Sequence, residues 1–180
     1  MPRELKPNKR PVKIADWLNI AGLFAPPALF GLCLMLVAKF HPDYGWLTDL
    51  GQWPWQLWAI LASGTIATAG GVGDWRFHRS WVTVGPNEHH SHVLALFSGG
   101  VPLFIFMALA SIIPTPEQVL LPIIAVTLYT TALICYDEFV YHMRRDCVPI
   151  ETLFHRLLVF GNGLAWMSWM HWCYVAHRTL

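Results

Sequence analysis

The chain has 180 residues, enough for one domain, of which 55% are apolar and only 13% charged, with a formal net charge of +1. Soluble globular domains carry roughly 25% charged residues, so this composition and a mean hydropathy of +0.43 point to the membrane class. The near-zero net charge excludes a global basic field for nucleic acid, and four scattered cysteines (Cys33, Cys135, Cys147, Cys173) without a CxxC exclude a zinc ribbon and a disulfide framework.

Residues 1–16 form a polar, basic tail carrying Arg3, Lys6, Lys9, Arg10 and Lys13. Residues 17–180 read as a single transmembrane domain. Its first apolar run, 17–40, is long enough to cross a bilayer, which takes about 20 residues. It is too long for a signal peptide, lacks a small-residue cleavage site, and reads as an N-terminal anchor. Pro26-Pro27 should kink it. Residues 41–54 are a Trp-rich connection suited to a membrane interface. A second span runs from about Trp55 to Trp81, with a small-residue middle that favours close helix contact. After the turn Val82–Asn87, a third span runs from Glu88 to about Ile113. Pro114-Thr115-Pro116 turns the chain into a fourth span, about Glu117 to Arg145. A fifth starts at Glu151 and ends near His177.

The expected fold is therefore an all-α integral membrane protein with five transmembrane helices. Lys and Arg gather in the tail and around the connections after spans two and four: Arg76, Arg79, Arg144, Arg145, Arg156. The positive-inside rule puts the N-terminus and those connections in the cytoplasm, and the C-terminus on the opposite side. The tail lacks a transit-peptide look, which favours a bacterial inner membrane.

The chain repeats itself. Glu88, His92, Leu94, Phe97 and Gly100 match Glu151, His155, Leu157, Phe160 and Gly163 at one constant offset, as Pro86 matches Pro149. Asp74 and His78 match Glu138 and His142 after one deletion in the loop. The expected architecture is a duplicated helical hairpin, about 55–113 and about 117–177, forming a four-helix bundle beside the anchor. Two hairpins of like orientation imply a pseudo-twofold along the membrane normal.

Four times an acid precedes a histidine by four residues: Asp74 and His78, Glu88 and His92, Glu138 and His142, Glu151 and His155. On a helix that spacing puts both groups on one face. Ionisable groups at the ends of apolar helices are costly, and function is the default reason to keep them. The eight groups fit a cage for two divalent metal ions. Imidazole suits iron, copper and zinc, and carboxylate pulls the choice towards iron or manganese. Pairing of these charges with the nearby arginines is the competing reading.

His89, three before His92, is a possible additional imidazole. Asp137 faces about 100° from Glu138 in a regular helix and is a possible outer partner to a histidine. His90 is expected in solvent. His171 and His177 lie at least 24 Å or so beyond His155 at about 1.5 Å per residue, and His41 lies on their side, so none should join the cage.

The site's logic resembles that of membrane-bound non-haem di-iron desaturases and hydroxylases. EHHSH (88–92) loosely echoes their histidine boxes, although HxxxxH and HxxHH are absent. That resemblance implies two metals at the cytoplasmic side and oxidation of lipid chains with O₂. The run Glu138-x3-His142-x12-His155, nearly repeated by Asp74, His78 and His92, is similar to a metal motif in the membrane-spanning part of the copper membrane monooxygenases for methane and ammonia. That similarity implies a multi-subunit copper enzyme acting on a small molecule.

These features predict a dimetal oxidoreductase that uses O₂ on a lipid-soluble substrate, among membrane lipids. It would draw electrons from a separate donor, since no flavin or haem motif is present. A metal-dependent membrane hydrolase and a metal or proton transporter are the alternatives.

Overall fold

A computed structural model describes residues 14–81, 86–142 and 148–176, and every described segment is helical or turn, without a strand. Most of the basic tail, Cys147, Arg144, Arg145 and His177 lie outside the described residues, as does the side chain of His142. Helix α1 is Ile14–Phe40 and runs through Pro26-Pro27 as one helix. Two short 3₁₀ turns, Pro42–Thr48 and Leu50–Gln52, make the Trp-rich connection. Asp49 organises it by accepting from the Gly51 backbone N–H at 2.9 Å and from Gln52 Nε2 at 2.9 Å.

Helix α2 is Trp55–Trp81. Helix α3, Pro86–Leu94, passes through a π turn, Ala95–Gly100, into α4, Val101–Ile112. A 3₁₀ turn, Pro116–Val119, leads to α5, Leu120–Asp137, which continues as a π turn over Glu138–His142. Helix α6 is Pro149–Met170 and also ends in a π turn, His171–Val175.

Two helices are long and apolar enough to cross a membrane, Asn87–Ile112 and Pro116–Tyr141. Only 17% and 6% of their apolar windows are buried within the protein, so they are not the sequestered core helices of a soluble domain. Leu121, Leu128, Phe139, Phe160 and Met167 all point outwards. Helices α2 and α6 are of comparable length but less apolar, because they carry the small residues and much of the ionisable set.

The closest packing is between α2 and α6. Gly161 meets α2 so tightly that an added Cβ would lie 2.8 Å from the Ala67 backbone nitrogen and the Ser63 carbonyl. Gly70 answers from α2, where a Cβ would reach the Leu158 nitrogen at 2.7 Å. Small residues thus let two polar-ended helices approach backbone to backbone. The other main pairing joins α5 to the α3–α4 rod, with Gly99 against Thr130. Each helix therefore packs across the two predicted hairpins: the first of one on the second of the other, twice. This is the pairing that exchange of the halves by a twofold requires. Helix α1 lies against α4 and α2.

The bundle has two contrasting ends. Where α2, α3–α4 and α6 meet the 3₁₀ turns, Tyr44, Leu47, Leu57, Met107, Ile123, Trp169 and Trp172 form an apolar core. At the other end, α2 and α5 finish and α3 and α6 begin.

Candidate metal centre

Local sequence fixes how the second end is built. Helices α3 and α6 both open with proline, which suits a first helical position because its missing N–H would go unpaired there anyway. Both carry glutamate two residues later, Glu88 and Glu151, in the first turn. A carboxylate there meets the positive end of the helix dipole. These two acids are among the most buried polar residues in the protein, with 4% and 3% exposure.

His78, near the end of α2, lies between two carboxylates. Its Nε2 is 2.8 Å from Glu151 Oε1 on α6, and its Nδ1 is 3.3 Å from Asp74 Oδ2 one turn back. His92 on α3 has Nε2 3.0 Å from Asp137 Oδ2 at the end of α5. His155 on α6 has Nε2 3.0 Å from Glu138 Oε2. The rings of His78 and His92 are 6.2 Å apart. Asp74 lies within the electrostatic reach of three imidazoles, His78, His155 and His92. Side chains from α2, α3, the end of α5 and α6 therefore converge on one neighbourhood. The ion pairs described for Asp74, Asp137, Glu138 and Glu151 run to imidazoles. Arg79 instead lies over the Trp75 ring, at 5.7 Å.

One expectation needs correction. His89 is exposed on α3, as is His90; three positions before His92 it is turned about 60° away around the helix, and it does not join the cluster. Asp137, a possible outer partner to a histidine, lies 3.0 Å from His92 Nε2 and is the better buried of two neighbouring acids: its side chain is 6% exposed and that of Glu138 41%. Ser91 and Asp16 are also buried polar residues that pattern reading passed over. His171 stays at the far end as expected, with Nδ1 3.0 Å from Gln56 Nε2 and its ring against Trp55. His41 packs on Tyr44.

The donor set suits a cation. Two ligands about 2.1 Å from a metal and at right angles are about 3 Å apart, and the acid–imidazole separations here are 2.8–3.3 Å. The pair His155 Nε2 and Glu138 Oε2 is close without the geometry of a hydrogen bond. Asp74 Oδ1 is buried and lacks a hydrogen-bond partner among the described residues. Among the described residues, no group of three or more such side chains is already arranged to hold a metal ion; His78 bridges two carboxylates, and His92 and His155 each meet one.

No protein-family model, no curated protein and no solved structure matches this chain.

Proposed function

We propose that the chain is a five-span integral membrane protein whose clustered acids and imidazoles hold two divalent metals, by preference iron, and that it oxidises a lipid-soluble substrate with O₂. The ligands in this reading are Asp74, His78, Glu88, His92, Glu138, His142, Glu151 and His155. The observation that carries it is the convergence of buried carboxylates and imidazoles from four helices at one end of an apolar bundle. In a low-dielectric interior, such groups are expensive unless paired or bound to metal. Their concentration at one end, rather than near mid-span, is what separates this reading from a transporter.

When bound, two irons would supply the capacity to activate O₂ and take hydrogen from an unactivated carbon. The chain's own residues do the rest. The buried carboxylates offset the cations' charge, and the imidazoles give directional bonds. The close α2–α6 contact excludes water from the approach to the cluster and limits side reactions. The outward apolar faces of α4, α5 and α6 meet membrane lipids and give an acyl or isoprenoid chain a route between helices. Electrons come from a separate protein, reaching the cluster at the cytoplasmic surface where His92 is partly open. In this topology the tail and the site are cytoplasmic, in a bacterial inner membrane.

Metal analysis of the purified chain tests the reading. About two irons per chain are expected, with an absorption band that bleaches on reduction and returns with O₂. His92→Ala and His155→Ala should each remove at least half of the iron while leaving the helical content unchanged. Full occupancy in both variants, or tightly held zinc alone, would overturn the proposal, the latter in favour of hydrolysis.

A further inference from the structure

We infer that Asp137, not Glu138, is the counterpart of Asp74 in the metal centre, and that the π turn after it serves to hold that register. The inference rests on the dimetal reading. Asp137 follows Asp74 by the same interval that separates Glu151 from Glu88 and His155 from His92. At that interval Glu138 corresponds to Trp75, which is not an acid. Only the histidine breaks step: His78 follows Asp74 by four residues, and His142 follows Asp137 by five. One extra residue in an α-helix turns everything beyond it by about 100°. A π turn absorbs the residue instead, because its i→i+5 bonds stack positions five apart. The π turn occupies Glu138–His142, the five residues that follow Asp137. The loop that follows is shorter by one residue, which restores the interval by Pro149.

Burial and partners agree with this register. The side chain of Asp137 is 6% exposed and that of Asp74 14%, against 41% for Glu138. His92 pairs with Asp137 at 3.0 Å. Glu138 is then a ninth group without a mate. It sits at the rim beside His155 and makes the two metal positions chemically unequal.

The experiment is Fe²⁺ titration of the purified, metal-stripped full chain in detergent under argon, read by metal analysis. Asp137→Asn should weaken iron binding by about tenfold or more, and Glu138→Gln should weaken it severalfold less than that. Equal losses, or a larger loss for Glu138→Gln, would overturn the assignment while leaving the dimetal reading intact. Absence of iron uptake by the unmodified chain would overturn both. A metal-free readout checks the register itself, using cysteine pairs in a cysteine-free background. His92→Cys with Asp137→Cys should be joined by a short bifunctional thiol reagent, since the two side-chain tips meet at 3.0 Å. Preferential cross-linking of His92→Cys with Glu138→Cys would overturn the register.

Discussion

The two ends of the bundle solve opposite problems. At the aromatic end, neutral polar groups sit among apolar side chains, and several are hydrogen-bonded across the helices. The Trp169 indole N–H donates to Ser111 Oγ at 3.0 Å, and that hydroxyl donates to the Met107 carbonyl at 2.8 Å. The Tyr174 hydroxyl donates to the Pro116 carbonyl at 3.1 Å, and Trp46 packs edge-on to Trp172. At the other end, carboxylates and imidazoles crowd together at 2.8–3.3 Å, an arrangement that costs desolvation energy on every charged member. One end concentrates the packing that stabilises the fold; on the proposed reading the other spends part of that stability on metal binding. Substitutions at the two ends should therefore have separable effects.

The largest expected effect is at Trp169, which is wholly buried. Trp169→Ala opens a cavity and leaves the Ser111 hydroxyl short of a partner, and should cost about 3–5 kcal/mol of stability. Thermal unfolding in detergent should shift accordingly, while the fraction that remains folded keeps its full iron complement. Equal loss of stability and iron would mean that the two ends are not independent.

Gly161 sharpens the comparison because it lies between them, on the α2–α6 contact. A side chain there meets the Ser63 carbonyl and the Ala67 nitrogen rather than a flexible side-chain tip. Gly161→Val should therefore separate the helices and cost about 1–3 kcal/mol. It should also loosen iron binding, since His78 and Glu151 face each other across the same pair of helices. Iron affinity unchanged in this variant would show that the cluster is held by local caps rather than by helix packing.

Much of this was legible in the sequence, and the omissions share a cause. The helices follow from apolar run length, and the convergence at one end follows from acid–imidazole pairs in register across a repeat. Glu88 and Glu151 were readable because each precedes a histidine by four residues at matching positions of the repeat. Asp137 was readable as a possible partner to a histidine, but its place opposite Asp74 in the repeat was not, because pattern reading assumes 3.6 residues per turn and the chain departs from that value at Glu138–His142. The repeat interval carried the missing signal: it singles out Asp137 once an insertion inside a helix is allowed. Asn87–Ile112 and Pro116–Tyr141 are the two described helices long and apolar enough to cross a membrane. In α2 and α6 the apolar signal is diluted by the small and ionisable residues that make their mutual contact and the site. Tertiary pairing between α2 and α6 depends on which small residues face each other, and periodicity alone does not specify that.

The smallest expected effect is at Gln56, whose side-chain nitrogen lies 3.0 Å from His171 Nδ1 at the aromatic end. Gln56 is almost fully buried, so its amide is held by packing as well as by this bond. The amide N–H donates and His171 Nδ1 accepts. Removing the amide by Gln56→Ala should cost about 1 kcal/mol, because His171 is partly exposed and can turn to water or lipid headgroups. Iron content and the O₂-sensitive absorption should not change, since this histidine lies a helix length from the acids of α6. Iron loss in this variant, measured beside Trp169→Ala, would make His171 part of the cluster's support and abolish the division between the two ends.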